Sequence, residues 1–558
     1  MDNTNKNPIF SLKNFRSFGE DGADFELAPI TVLTGCNSAG KSSLVKALML
    51  LSDKPNYRYG DTIKYSQYLK TSSKQLNLGG YKSIVNKDGN VTMSYRIWSS
   101  DIHDYLVVTR KFCSKSNDVL NEGVLNHLTV ERTDGRLVYQ AGPGWLDGLY
   151  LPDEIRSDSV ETEFNIFYAV GLFFQCKYFY ERAQEIVEND KKNSLFDKNY
   201  VEKALDEALL SLKTIGLTEQ DAYRLWKELD QEIWDAICEI KTKFDAEIGR
   251  AQKIAADIPN YYESLKMPNH IEALKKEKEE SMMNVFAKHV IGKATSPYFT
   301  QNSIYIDSAS AQIARIYPAE GENKICKAMR GFNDGRIGYQ DTVQIYVCEH
   351  YAIKEPGSFI NKWLSIFGIG DSIEITGTDE GLGLMMYLNN GKTKRLLADE
   401  GYGITQLVSL LLQIDNSIPS FQEAEEKKYI GKESFVFNYQ PKIICVEEPE
   451  VHLHPKFQSL LADMFVEAYQ KYNIHFIIET HSEYLIRKLQ VMVADKDNPL
   501  KPNDVSLNYV EKDEEGVSHN RQIKIKDDGG LSDSFGKGFY DEADSLALEL
   551  MKYKARKK

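Results

Sequence analysis

Gly35-Cys36-Asn37-Ser38-Ala39-Gly40-Lys41-Ser42 decides how the rest of the chain reads. It satisfies G-x-x-x-x-G-K-[ST], a glycine-rich turn whose backbone N–H groups surround a phosphate. The flanks fit that chemistry. Pro29-Ile30-Thr31-Val32-Leu33-Thr34 is an apolar, β-branched run that predicts a buried strand, and Ser43 to Leu51 predicts a helix. A strand feeding a helix through this turn sets the positive end of the helix dipole against the same anion. Lys41 is expected to reach the terminal phosphates, and the Ser42 hydroxyl to ligate Mg2+. The expected ATP-contacting positions are therefore Gly35, Asn37, Ser38, Ala39, Gly40, Lys41, Ser42 and Ser43. Cys36 reads as a small residue tolerated inside the loop, with redox sensing as the lesser alternative.

With 558 residues the chain is too long for one ordinary core, so two or more units are expected. Its 42% hydrophobic and 27% charged residues are those of a globular protein. No apolar run approaches the roughly 20 residues of a spanning helix, and Met1 to Lys6 lacks a signal-peptide apolar region. Seven cysteines stand singly with no C-x-x-C pair, which argues against a zinc ribbon and fits a reducing cytoplasm. The net charge of −14 is not that of a protein coating nucleic acid.

Three segments differ in texture. Residues 1–160 read as a β-rich lobe: Ile9 to Phe15 alternates as a strand, Phe25-Glu26-Leu27 looks like its partner, and Val91 to Trp98 and Tyr105 to Arg110 alternate too. Over 161–295 Gly and Pro become sparse. Leu225, Trp226, Leu229, Ile233, Trp234, Ile237, Ile240, Phe244 and Ile248 recur at three- and four-residue spacings, predicting a long amphipathic helix from an N-cap at Thr218 to Ile258, stopped by Pro259. A second helix is expected over Asn269–Ile291, its run Lys275-Lys276-Glu277-Lys278-Glu279-Glu280 forming a solvated face. Together they predict a helical, coiled-coil-like hairpin inserted into the ATPase. Residues 296–558 return to β/α texture, with Ser303–Ile306 as a strand and Asn361–Gly370 as a short helix ending at glycine.

A P-loop needs acids that hold the Mg2+ water shell and polarise a water. Lys442-Ile443-Ile444-Cys445-Val446-Glu447-Glu448-Pro449-Glu450 supplies them at the end of a buried strand, where ligands of α/β sheets sit. Glu447 is the expected metal-side acid and Glu448 the general base, with the exchange of those roles left open because Asp is the usual first acid. His475 to Ser482 is a second apolar strand ending in a polar cluster, and His481 is placed to hydrogen-bond the γ-phosphate. His452 and His454 read as a structural turn, since no third metal ligand accompanies them. Glu400-Gly401-Tyr402-Gly403-Ile404-Thr405-Gln406 opens an apolar helix with two glycines, again offering N–H groups to an anion.

The set resembles ABC-type ATPase heads of the SMC and DNA-repair kind. Leu12-Lys13-Asn14-Phe15-Arg16-Ser17-Phe18 looks like their N-terminal strand, whose arginine, here Arg16, approaches the nucleotide. Glu400 to Gln406 looks like their signature motif, Glu447-Glu448-Pro449-Glu450 through His454-Pro455 like Walker B and D-loop, and Thr480-His481-Ser482 like the H-loop. The closer resemblance is to the overcoming-lysogenization (OLD) ATPases, including the ATPase subunits of the Septu and PARIS anti-phage systems. It rests on EPEVHLHP (Glu448–Pro455), ETHSEYLI (Glu479–Ile486) and a tail like Asp528-Gly529-Gly530 to Gly538-Phe539-Tyr540-Asp541-Glu542. It covers both ATPase lobes and not the hairpin. The implied fold is α/β: an ABC-type P-loop head, mixed sheet plus β-rich lobe, interrupted by the hairpin. The resemblance implies ATP and Mg2+ as cofactors and a homodimer or higher homo-oligomer through the heads. Each site would join Lys41 of one subunit to Gly401, Gly403 and Gln406 of another. A Q-loop residue is not assigned beyond Gln75.

OLD proteins that cut nucleic acid carry a C-terminal Toprim domain. Only about 75 residues follow His481, and Asp495-Lys496-Asp497 lies in a polar loop beside Pro499 and not after a buried strand. There is no HNH-like cluster either. The expectation is a cytoplasmic ATPase that is not itself a nuclease and that regulates a separate HNH- or Toprim-type effector in defence. Association with nucleic acid, or with a reverse-transcriptase and non-coding RNA complex, is the further partner the resemblance admits. An SMC- or RecF-like repair or DNA-tethering ATPase is the alternative. A transporter ATPase is disfavoured by the long insertion.

Overall fold

The computed structural model describes residues 6–51, 68–69, 71, 76, 78–87, 89–99, 104–114, 123–141, 165, 168–177, 198–226, 231–257, 267–295, 299, 303–307, 314–318, 324–337, 358–378, 382–418, 441–498, 500–536, 539 and 542–556. β1 (Ile9–Lys13), β2 (Ala23–Glu26), β3 (Ile30–Gly35) and α1 (Lys41–Leu51) open the chain. β4 (Tyr68–Leu69), β5 (Val91–Ser99), β6 (Asp104–Ser114), β7 (Gly123–Arg132) and β8 (Leu137–Ala141) follow. The middle is helical, with α2 (Lys198–Thr214), α3 (Glu219–Trp226), α4 (Gln231–Asp257) and α5 (Met267–Thr295). Next come β9 (Ser303–Ile306), β10 (Tyr317–Pro318), α6 (Lys324–Ile337), α7 (Ser358–Phe367), β11 (Ser372–Gly377), β12 (Gly383–Asn390), β13 (Thr393–Leu396) and α8 (Tyr402–Ser417). β14 (Lys442–Glu447), α9 (Pro455–Tyr472), β15 (Ile474–Glu479), α10 (Glu483–Ala494), β16 (Val505–Lys512), β17 (Ser518–Ile523) and α11 (Glu542–Arg556) close it.

The element that positions the site is a six-stranded sheet in the order β17-β16-β3-β15-β14-β9. All its pairings are parallel except β16 with β17. Parallel strands covered on both faces read as continuous apolar runs, which is why Ile30–Leu33, Ile443–Val446 and Phe476–Ile478 lack alternation. Successive side chains still point to opposite faces. Leu33, Ile443, Cys445 and Ile477 pack toward α1 and the antiparallel sheet. Val32, Ile444, Val446 and Ile478 join the core built with α7, α8, α9 and α10.

The antiparallel sheet runs β2-β1-β5-β6-β7-β4, with β8 on β7, and the β1–β2 pairing is the one expected from sequence. A smaller sheet runs β10-β12-β11, with β13 on β12. The helix expected over Asn361–Gly370 starts and ends earlier, as α7, and the glycine that follows its last residue is Gly368, in the left-handed region at φ 69°.

In the insertion, α4 and α5 pack antiparallel. Phe244, Ile248 and Ala251 meet Ile271 and Leu274 at one end, while Trp234, Ile237, Met282, Phe286 and Val290 join the core shared by α1 and the antiparallel sheet at the other. Tyr95 on β5 donates to the Ala294 carbonyl at 2.9 Å, which pins the end of α5 to the sheet. The long helix predicted over Thr218–Ile258 is described as α3 and α4, residues 227–230 falling outside the described set. Thr218 caps α3, its Oγ1 accepting from Asp221 N at 3.2 Å. Lys275, Lys276, Glu277 and Glu279 of the charge run on α5 face solvent, and Lys278 reaches Asp245 of α4 at 2.9 Å. Gln75 and Pro259 lie outside the described residues, as do Gly538, Tyr540 and Asp541 of the tail.

Candidate functional site

β3 delivers the chain into the loop at Gly35, which has φ 133°; a Cβ there would sit 2.0 Å from the Val510 carbonyl oxygen of β16. Ser38 (φ 59°) and Gly40 (φ 103°) are also left-handed, and the turn curls its amides inward. Ser518 on β17 supports it from below, donating through Oγ to the Ala39 carbonyl at 2.6 Å. A Cβ on Gly40 would meet Ser17 Oγ at 2.4 Å, so the residue after Arg16 packs directly beneath the loop. Asn37 and Ser38 are exposed at its crest, while Ser43 is buried in the first turn of α1.

Lys41 is 4% exposed and donates to the Gly35 and Cys36 carbonyls at 3.2 and 2.9 Å. Burial lowers its pKa, with Glu479, then Glu448, Cys36 and Glu450 opposing. It faces a crescent of carboxylates.

The ends of three parallel strands lie level here: Leu33 of β3 pairs with Glu479 of β15, and Glu479 with Glu447 of β14. Residues level in a parallel ladder share a face, so Glu479 and Glu447 both project to the α1 side. Ser42 donates its hydroxyl to Glu479. Burial raises the Glu479 pKa first, and the Glu447 charge adds to it.

Glu447 accepts a hydrogen bond from Tyr305 of β9, whose phenol pKa is raised by burial and then by that carboxylate. Arg16 sits on the same side, in the left-handed region at φ 54°, its backbone tied to Ile84 O at 2.6 Å and to Asn86 Nδ2 at 2.7 Å. Burial lowers the Arg16 pKa, while Glu447 supports its charge. A cavity of about 440 Å³ lies between Arg16, Lys46, Ser83, Tyr305 and Asp307.

Glu448 turns away from the strand with φ 47°, its N–H bonded to the Glu479 carbonyl at 2.7 Å. The backbone flip puts adjacent acids on different sides of the site. Glu450 is 6% exposed and accepts from His481 N at 2.7 Å, and burial raises its pKa. His481 reaches solvent, yet partial desolvation of its ring and then the Lys41 charge lower its pKa. A mainly neutral imidazole at pH 7 is a hydrogen-bonding group.

α8 carries the glycine motif. Gly403 has a reason within the chain: a Cβ there would lie 2.4 Å from the His452 carbonyl oxygen. Gly401 caps α8 with ordinary φ (−62°), and a Cβ there would meet nothing within 4 Å. Gln406 Nε2 donates to the Glu448 carbonyl at 3.2 Å, tying the helix to the acidic loop. His452 stacks edge-on against Tyr402, and His454 caps α9, Nδ1 accepting from Lys456 N at 3.3 Å; both have the structural roles expected of them.

Glu479, Glu450, Tyr305 and Asp307 belong to the site and were not assigned from sequence. Two of them stand inside quoted motifs. The signal for all four is the strand order, which brings β9 and β15 to either side of β14.

Whether Mg2+ fits is tested by unpaired atoms. Glu447 Oε1 and Glu479 Oε2 are buried with no hydrogen-bond partner, and Glu479 takes the Ser42 hydroxyl. Buried carboxylate oxygens without partners are costly, and a hard cation is what they suit. Among the described residues no group of three or more His, Cys, Asp or Glu side chains could cage a metal. Mg2+ takes one or two carboxylates plus phosphates and water, and Glu447 and Glu479 are two such carboxylates. The residues present fit the ion.

Residues 9–486 match the model of the AAA ATPase domain family, and residues 500–550 match a family of proteins of unknown function, DUF3696. No curated protein matches the sequence. Similar solved structures include the Smc head domain with an extended coiled coil, bound to the C-terminal domain of ScpA, from Pyrococcus furiosus, at 12% identity, TM-score 0.33, covering 98% of this chain and 100% of that one. An Smc head with a coiled coil and joint from Pyrococcus yayanosii is 13% identical, TM-score 0.32, covering 93% and 97%. The SMC head from Thermotoga maritima is 11% identical, TM-score 0.30, covering 93% and 98%. Among the described residues no helix is long and apolar enough to cross a membrane. The parallel sheet with its P-loop, the antiparallel sheet packed against it and the helices between them make a P-loop α/β fold. By the family match over most of its length, the chain belongs to the AAA ATPase domain family and is an ATP-hydrolysing enzyme.

Proposed function

We propose that the chain hydrolyses MgATP between its P-loop and the ends of β14 and β15, that two chains close head to head over two nucleotides, and that this closure regulates a separate nuclease effector in anti-phage defence. Lys41 orients the terminal phosphates. Glu448 takes the proton of the attacking water, and His481 orients that water by a hydrogen bond. Ser42 and Glu447 hold the ion, and Arg16 balances charge on the metal side. Bound Mg2+ neutralises charge on the phosphate oxygens. The division into 1–160, 161–295 and 296–558 follows: two interleaved lobes do the chemistry and the hairpin carries motion outward.

The observation that carries the shared site is Gly401. It stands exposed at the N-terminus of α8 with no conformational or packing need within its own chain to be glycine. A second chain's phosphate approaching the N–H groups of α8 would supply that need. The effector reading is supported by the OLD-like motifs Glu448–Pro455 and Glu479–Ile486.

Lys41→Ala should abolish ATP binding; wild-type binding in that variant refutes the P-loop assignment. For the effector, the chain is co-expressed with the product of its neighbouring gene. A stable complex with a nuclease supports defence. A chain that purifies alone and holds DNA in an ATP-dependent way supports the SMC- or RecF-like alternative.

A further inference from the structure

We propose that Glu479 is a metal-holding carboxylate of the ATP site, sharing Mg2+ with Ser42 and Glu447; the proposal rests on the MgATP reading above. Three observations carry it. The first is register. Glu479 stands on the strand next to the P-loop strand, whereas Glu447 is one strand further away. Strands lie about 4.8 Å apart, so Glu479 is the nearer acid to the loop by about that distance.

The second is the partner of Ser42. The hydroxyl expected to bind the metal donates to Glu479. A hydroxyl and a carboxylate already in contact are two adjacent oxygen ligands once the hydroxyl turns its lone pair to a cation.

The third is an unpaired atom in a closed space. Glu479 is 7% exposed, yet its Oε2 has no hydrogen-bond partner, and Oε1 of neighbouring Glu447 is in the same condition. Positive charge stands nearby on Lys41, Lys46 and Arg16. Lys41, however, donates to backbone carbonyls of the loop. Glu447 and Glu479, level on neighbouring strands, would hold a divalent ion that offsets the charge of both. A purely structural glutamate would need only the Ser42 bond, so the metal is what separates the two roles.

The test uses Mn2+ as a paramagnetic substitute, followed by EPR on the full chain with a non-hydrolysable ATP analogue. Glu479→Gln should weaken Mn2+ in the nucleotide complex by about 10-fold or more. It should leave metal-free nucleotide binding, measured in EDTA, unchanged. Glu479→Asp should fall between the two. Wild-type Mn2+ affinity in Glu479→Gln, with Glu447→Gln alone weakened, overturns the proposal. If Glu479→Gln does not fold, Glu479→Asp decides, and an unshifted affinity there overturns it equally. Nucleotide binding that is indifferent to Lys41→Ala would instead overturn the ATP-site reading beneath it, so the two failures are distinct.

Discussion

At the scale of single residues, two glycines separate what a motif requires from what a turn tolerates. Gly35 and Gly135 both have positive φ, at 133° and 84°. At Gly35 a Cβ would strike a backbone carbonyl of β16, which cannot swing away; at Gly135 it would meet nothing within 4 Å. Gly135→Ala should cost about 1 kcal/mol, the strain of the conformation alone. Gly35→Ala should add a clash and cost about 3 kcal/mol or more, with loss of nucleotide binding. Denaturant midpoints of the two variants check this; equal losses would mean β16 does not press on the loop. The P-loop was legible because its chemistry is local: a turn, a lysine and a hydroxyl within eight residues. Glu479 was not, although it sits in the quoted ETHS run. An acid at a strand end acquires a role only when its neighbouring strands are known.

Elements show the same division. β3, α1, β14 and β15 were expected nearly where they lie, because long apolar runs and glycine turns speak locally. The place of β9 beside β14 was not foreseeable, since more than 250 residues separate it from the P-loop it serves. β15 also carries a pH dependence. Burial pushes His475 down to about 4 from an ordinary 6.5. Between those values the unfolded chain takes up a proton that the folded chain refuses, so stability is lost as pH falls from 6.5 toward 4. The loss approaches about 3 kcal/mol at most, from 2.5 units at 1.36 kcal/mol each. His475→Gln should flatten that slope between pH 7 and pH 4.5 in denaturant titrations; an unchanged slope would assign the effect to other groups.

In the whole molecule, the two sequence lobes are not separable bodies. β3, from the first, lies between β15 and β16, from the last. A chain ending at residue 160 would leave both edges of β3 unpaired and bare Ile30 and Val32 of one core face. Such a fragment should give no cooperative melt; a sharp transition would contradict the interleaved sheet. The hairpin is set apart differently. Its far end is packed by its own small cluster, and its base joins the core shared by α1 and the antiparallel sheet. In the proposed mechanism ATP joins two heads across one site. It is tested most directly by the solution mass of Glu448→Gln with ADP and with ATP, by light scattering after size exclusion. ATP, bound and not hydrolysed, should double the mass found with ADP, and Gly401→Ala added to Glu448→Gln should prevent the doubling. An unchanged mass with ATP demonstrably bound would contradict it.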